Sequence, residues 1–414
     1  MPNEKRIHQI DEKGISGDQR HVFGFQDFFH VHAMSTEHAG LNIITMEEFL
    51  EREALTGKLR NVDTGEVEFP PHNITRFESG RDYNWLPLYK YLRSVGHTPE
   101  WYPNDCALAI PSSTDPESVL ELNKTFHTIM SNGSQPELGD FINNPTPVNG
   151  SLADRMREML ADREELCIYD IELQQKKLLH IQANRDVRLL THFYAFIFFA
   201  DWKQDLFSKR LVRDHVRIRD EIMCAAARVL EAVRERAKKK PGNPEGLYDA
   251  LHVRRGDFKY QFKSTQLSAR ELYLASKNEL TEGSTLYIAT NQKDKNFFSI
   301  FMKHYDVIYL DDYMDEVGHE VNANLLGLID LLVASKSRTF FGTYQSTFSG
   351  YINRIRGYYT VQQKSEGYQD GIINSWYFSE EVKHDMRSYH PVHGQSTHSR
   401  EYPTGWRDID FTAQ

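Results

Sequence analysis

Cysteine is scarce in this chain: Cys106, Cys167 and Cys224 are the only three in 414 residues. Their spacing matches no thiolate metal site and no redox motif. Three is an odd number, so at most one disulfide can form, and a Cys106–Cys167 pairing is not the expectation. Cys224 falls on an apolar helix face and reads as a small buried hydrophobe. Long apolar runs are missing as well. The longest, Leu189 to Ala200, is interrupted by Thr191 and His192. It falls short of the ~20 residues that a membrane span needs, so no transmembrane segment is expected; the run reads as a buried core helix. Met1 to Gln19 is polar, so no signal peptide is expected there. Basic residues are the minority, 49 against 59 acidic, for a net charge of −10. That balance argues against nucleic acid as a partner. Internal repeats and low-complexity tracts are absent.

What is present suffices for two domains with cores, since 40% of the residues are hydrophobic. Residues 1–240 are expected to form a first α/β domain. In it, Glu47 to Leu55, Glu117 to Met130 and Ser151 to Leu166 read as helices, the last with Ser151 as its cap. Cys167 to Ile171 and Leu178 to Ala183 read as strands. Asp214 to Arg236 reads as one long helix, with Val216, Ile222, Ala226, Val229 and Val233 on one face. The segment 238–246, with two prolines and two glycines after a charge run, reads as a linker. A second domain is expected over 247–365. Residues 366–414, aromatic and His-rich without periodicity, are expected to wrap back over the first domain or to stay mobile. Four sequons, at Asn73, Asn123, Asn132 and Asn149, fall in polar stretches that read as loops, a weak sign of secretory ancestry.

The densest signal is His252-Val253-Arg254-Arg255-Gly256-Asp257-Phe258, at the end of an apolar strand beginning near Leu247. Guanidiniums at the carboxyl edge of a sheet stand where ligands of open α/β sheets bind. Their planar forks suit a diphosphate. A solvated turn and an integrin-type Arg-Gly-Asp loop are the plainer readings, though the second fits poorly directly after an apolar strand. Downstream, Ser284 to Asn291 and Tyr305 to Leu310 read as strands, and Ala323 to Ala334 as a helix. Arg338 to Arg354 reads as a strand through Gly342 and Thr343 that gives way to a helix near Ser346 and Thr347. Helical patterns at Ser268 to Leu280 and Gln292 to His304 separate the strands, as in βαβ units on a parallel sheet.

His252-Val253-Arg254-Arg255-Gly256-Asp257, Tyr287-Ile288-Ala289-Thr290-Asn291 and Gly342-Thr343-Tyr344-Gln345-Ser346-Thr347-Phe348 resemble, in order and spacing, three peptide motifs of the GDP-fucose protein O-fucosyltransferase family, which is related to the α1,6- and α1,2-fucosyltransferases. The resemblance implies a GT-B-like α/β fold with two facing Rossmann-like domains. It implies an inverting, metal-independent transfer of fucose from GDP-fucose, the donor substrate, to a protein Ser/Thr hydroxyl or a glycan, with no cofactor. It also suggests the secretory pathway, ER or Golgi.

By the same resemblance Arg254 is the catalytic candidate, meeting the β-phosphate; a structural ion pair with Asp257 or Asp330 is its alternative. Ser346, Thr347 and the backbone at Phe348 are expected to cradle the diphosphate, or else simply to cap a helix. His252 contacts the nucleotide or is a satisfied core residue. Gly256 and Asp257 complete the donor turn. Asn291 stands where many relatives carry an Asp that grips guanine; its amide can still pair with guanine's edge, with less discrimination. Asp330, in an apolar helix, needs a partner and is expected to orient an Arg or His of the first motif. No catalytic base can be named; Asp257 is the nearest acid and lies on the donor side. The stretch 1–29 carries no counterpart of the Gly-rich, Asn-bearing turn with which the family opens. That leaves a second reading, a non-catalytic GDP-sugar-binding or interaction protein descended from such an enzyme.

Overall fold

The computed structural model describes residues 25–37, 41–71, 85–102, 105–132, 141, 146–161, 163–181, 197–256, 258–319, 321–363, 374–378, 384–385 and 411. Residues 1–24, most of the stretch read as lacking the family's Gly/Asn turn, lie outside this set. Two compact units divide the chain: residues 1–133 with 163–219, and residues 134–162 with 220–414. Among the described residues, no helix is long and apolar enough to cross a membrane.

The first unit holds a three-stranded parallel sheet of β1 (Cys106–Ile110), β2 (Glu165–Ile168) and β3 (Ile197–Phe199), in the order β2-β1-β3. Two helices of this unit are α1 (Trp85–Val95) and α2 (Pro116–Ser131). The apolar run expected to be a helix to Ala200 ends as strand β3, parallel to β1; its residues before Ile197 lie outside the described set. Ile171 belongs to a helical turn capped by Asp170 and not to the preceding strand. Leu179 makes only an isolated bridge with His97. A disulfide joins Cys106 to Cys167 with Cα atoms 5.8 Å apart, against expectation. Parallel pairing sets Leu108 opposite Cys167. The register thus brings together two thiols that lie 61 residues apart in sequence.

In the 134–162 segment, α3 (Leu152–Met159) is capped by Ser151, whose hydroxyl accepts from the Asp154 amide as expected, but it stops well before Leu166. The long helix expected from Asp214 is two helices, α4 (Trp202–His215) and α5 (Asp220–Lys238). Between them Ile218 forms a bridge with Phe29, and the backbones of Arg217 and Arg219 bond His30 and Phe28. That tertiary pairing interrupts what periodicity would continue, and Val216 ends the first helix. The stripe Ile222, Ala226, Val229 and Val233 is buried as read. Cys224 is exposed, because two residues along a helix is roughly 200° around it. The apolar face of α5 packs on the helix Leu326–Ser335. This helix therefore belongs to the second unit, and the division at 219–220 precedes the 238–246 segment.

The second unit is built on a six-stranded sheet: β4 (Asp249–Val253), β5 (Thr285–Thr290), β6 (Asp306–Ile308), β7 (Phe340–Thr343), β8 (Ser375–Phe378) and β9 (His384–Asp385), in the order β6-β5-β4-β7-β8-β9. All neighbouring pairs are parallel except β8–β9. Connecting helices include α6 (Ala269–Ser276, with a Ser268/Glu271 capping box), α7 (Leu326–Ser335) and α8 (Thr347–Gln363). Every residue of β4 is buried, as a central parallel strand covered on both faces must be. Of the 366–414 segment, Ser375–Phe378 and His384–Asp385 enter this sheet; most of the rest lies outside the described residues. Trp376 and Phe378 alternate into the same core as Phe341.

Two arginine clusters, the first part-buried and the second buried, anchor the sheet. Arg338 forks onto Asp249, which also accepts from Ser284 and Thr281. Arg356 of α8 donates to Ser375 and to the carbonyls of Ser337 and Arg338. Burial holds its guanidinium down at about 10.

Candidate functional site

Counted along the second unit, the parallel strands β4 to β8 run in the order third, second, first, fourth, fifth. The chain reverses direction across the sheet between β4 and β7. Ligands of open α/β sheets bind outside the carboxyl ends of the strands at such a switch point. Arg254 follows the last residue of β4, and α8 begins four residues after β7 ends. A 17-residue helix directs its unpaired N–H groups and partial positive charge to this edge.

Side chains from both neighbouring strands stitch the edge together. Thr343 Oγ1 accepts from the Arg254 amide at 2.8 Å and donates to the His252 carbonyl at 3.0 Å. Thr290 Oγ1, at the end of β5, donates to the Val253 carbonyl at 2.6 Å. Asn291 completes the clamp: its Oδ1 accepts from the Arg255 amide at 2.7 Å and its Nδ2 donates to the Arg255 carbonyl at 3.1 Å. Gly256 turns with φ of +68°, and a Cβ there would lie 3.2 Å from Asn291 Nδ2. Glycine is the residue that adopts this conformation freely while leaving the amide in place. Both polar ends of Asn291 are thus engaged on backbone. Asp257 lies outside the described residues. Arg255 points its guanidinium at the Leu267 carbonyl and over the Phe297 ring, so it serves packing.

His252 is buried, shares a 2.7 Å hydrogen bond with Ser349 Oγ and lies against Phe348, ring centroids 4.5 Å apart. Burial, and secondarily the Arg254 charge, push its pKa down to about 3. It is neutral across the physiological range and satisfied within the core. Gly342 lets α8 sit close on β7: a Cβ there would meet Ser349 Cβ and Oγ at 2.7 Å. Ser346 is buried and donates its amide to the Thr343 carbonyl, while Thr347 is exposed at the helix start. Between them and the strand, Gln345 holds φ of +67°. A side chain in that region costs of order ~1 kcal/mol, a strain found most often at ligand-binding turns.

Asp330 departs from expectation. It accepts a 2.5 Å hydrogen bond from the Tyr287 hydroxyl of β5, and orients neither arginine nor histidine of the first motif. The cause is the one-residue alternation of β5, which turns Tyr287 toward α7. Burial drives the carboxyl up to about 7, with Asp311 adding to the rise and the Tyr287 bond and Lys295 opposing it.

The motifs therefore bring Arg254, Gly256, Asn291, Ser346, Thr347 and Phe348 to one sheet edge, with His252 beneath them and Asp330 on α7. The sequence assigned no site role to Thr343, Thr290 or Ser349, although Thr290 and Thr343 stand inside the motifs. Their signal was that each stands at a strand end or on the first turn of the following helix, where a short hydroxyl can reach a neighbouring backbone or ring.

No curated protein matches the chain. Among solved structures that match is NodZ α-1,6-fucosyltransferase soaked with GDP-fucose, 16% identical, with a TM-score of 0.26 over 42% of this chain and 58% of that one. Another is an arginine-to-lysine mutant of Arabidopsis thaliana FUT1 in complex with GDP, 9% identical, with a TM-score of 0.28 over 83% of this chain and 86% of that one. The chain spans little more than half the length of the first. The family model of the GDP-fucose protein O-fucosyltransferases matches residues 7–359. That is well over half of the sequence and contains all three motifs, so the chain belongs to the GDP-fucose protein O-fucosyltransferase family.

Proposed function

We propose that this chain transfers fucose from GDP-fucose to a hydroxyl of a protein Ser/Thr or of a glycan, with inversion and without a metal ion. The observation that carries the reading is the position of Arg254 at the switch point, beside the start of α8, in a chain of this family. In the transfer, the bond from the anomeric carbon to the β-phosphate oxygen breaks, and negative charge grows on the leaving GDP. The acceptor oxygen attacks from the opposite face, and its hydroxyl proton is released to solvent late in the step. Stabilisation of the diphosphate falls to donors already in place. Arg254, its backbone held by Thr343, supplies the permanent charge, and the first turn of α8, through the amides of Thr347 and Phe348, supplies N–H groups, with the Ser346 side chain just before it. His252 is neutral and acts as a floor under Arg254 and Phe348. Asn291 fixes the Arg255–Gly256 turn, and any contact it makes with guanine is secondary to that. The family's two-lobed GT-B arrangement, with an acceptor site on the first lobe, belongs to the same proposal.

Calorimetric titration with GDP, with and without EDTA, tests donor binding; GDP release from GDP-fucose tests turnover. Arg254→Ala should lower turnover by ~10²–10³, the usual loss for one preorganised donor to developing charge, with the melting temperature nearly unchanged. Arg254→Lys should recover little, because a point charge does not reproduce the fork. Tighter binding of UDP than GDP, or an Ala variant with most of its turnover, would sink the reading. Clear GDP binding with no turnover on any acceptor would favour the non-catalytic alternative.

A further inference from the structure

The fold treats the sequons unequally. Asn123 lies inside helix α2, partly buried, and its Nδ2 donates to the Val119 carbonyl one turn back at 3.1 Å. A glycan on that nitrogen would have to lie along a packed helix and would disturb this bond. Asn149 is exposed. It occupies a tight turn in which the Gly150 amide donates to the Pro147 carbonyl at 2.8 Å. A Cβ at Gly150 would meet that carbonyl oxygen at 2.9 Å, so the middle residue of the sequon is a glycine for reasons of space. Ser151, the third residue, caps α3. Asn73 and most of the Asn132 sequon fall outside the described residues.

A second observation bears on compartment. The Cys106–Cys167 disulfide is a bond that forms and persists in oxidising environments such as the secretory lumen, and is rare where thiols are kept reduced. That lumen is also where Asn-X-Ser/Thr sites are glycosylated. We propose that Asn149 carries an N-linked glycan and that Asn123 does not. In the transfer, the Asn149 side-chain nitrogen forms a bond to the anomeric carbon of a lipid-diphosphate-linked oligosaccharide. The carbon–oxygen bond to the diphosphate breaks, the lipid diphosphate leaves with its electron pair, and one amide proton is released. The sequon hydroxyl is engaged in the folded chain: Ser151 Oγ accepts from the Asp154 amide at 3.1 Å and donates to Asp154 Oδ2 at 2.6 Å. The modification therefore precedes closure of the α3 cap.

The test is to isolate the full chain from a eukaryotic secretory host. Its thiols are alkylated without reduction, and it is treated with peptide-N-glycosidase F in heavy-oxygen water. Peptide mass spectrometry should find labelled aspartate at position 149, unlabelled asparagine at 123, and no alkylation of Cys106 or Cys167. Asn149→Gln and Ser151→Ala should each abolish the label at 149. Ser151→Thr should retain it, since threonine keeps both the sequon and a cap, and this separates loss of the site from loss of folding. An unlabelled position 149 in wild type, label at 123, or alkylated Cys106 and Cys167 would each overturn the proposal.

Discussion

Gly342→Ala is the most informative single perturbation of the sheet's carboxyl edge. The added Cβ meets Ser349 Cβ and Oγ at 2.7 Å and Phe340 Cε1 at 3.0 Å, and both neighbours are fully buried. Ordinary carbon–carbon contact begins near ~3.5 Å, so the first turn of α8 must move out from β7 by roughly 1 Å. Overpacking of this kind costs ~1–3 kcal/mol. The upper half of that range is expected, because Ser349 is both the obstacle and the partner of His252. The same displacement moves Ser346 and Thr347 away from Arg254, and misplacement by about 1 Å is worth as much as 10² in rate. Urea denaturation reads the stability, and GDP titration with a GDP-release assay reads the function. Two companions make the reasoning strict. Ser349→Ala added to Gly342→Ala removes Oγ but leaves Cβ, so it should restore nothing. Ser349→Gly removes both atoms and should recover part of the stability, less the ~1 kcal/mol cost of a helical glycine. A Gly342→Ala protein within ~0.5 kcal/mol of wild type with unchanged GDP affinity would refute the argument. So would equal recovery by the two companions.

Asn291→Ala should remove two backbone clamps of ~1 kcal/mol each at most and weaken GDP binding by loosening the Arg254–Gly256 turn. Asn291→Asp should be no better, because its second oxygen would face the Arg255 carbonyl; tighter GDP binding by the Asp variant would instead assign this position to guanine. Asp330, pushed up to about 7 from an unfolded value near ~4, favours folding in its protonated form. Its stabilising share is complete below pH ~4 and is lost as pH rises through about 7. Stability curves of Asp330→Asn and wild type should therefore diverge across that window, and parallel curves would contradict the assignment. Reduction of the Cys106–Cys167 disulfide, whose cysteines are 61 residues apart, should lower stability by up to about 4 kcal/mol on the chain-entropy estimate; a urea midpoint indifferent to reductant would count against it.

How far the sequence could be read follows from the range of the interactions involved. Strands β4 to β7 were legible because each is a short apolar run, β4 and β5 being cut off by Arg254 and Asn291. Ser151 and Ser268 were legible as helix starts because capping is decided within four residues. The stripe of α5 was legible because its partners repeat with the helix. Where contacts reach across the chain, the reading stopped. The break between α4 and α5 depends on Ile218 pairing with Phe29. The disulfide depends on the register of two parallel strands, and the place of Trp376 and Phe378 on β8's pairing with β7.

The candidate site divides the same way. Sequence alone determined which residues stand at the carboxyl edge, because a strand ending in Arg254 and a helix starting at Thr347 are local facts. Tertiary structure decided what those residues do. It gave Asn291 to the Arg255 backbone, Asp330 to Tyr287 and His252 to Ser349. Hydrogen-bond partners between strands and helices far apart in sequence are set by packing geometry, which no local pattern encodes.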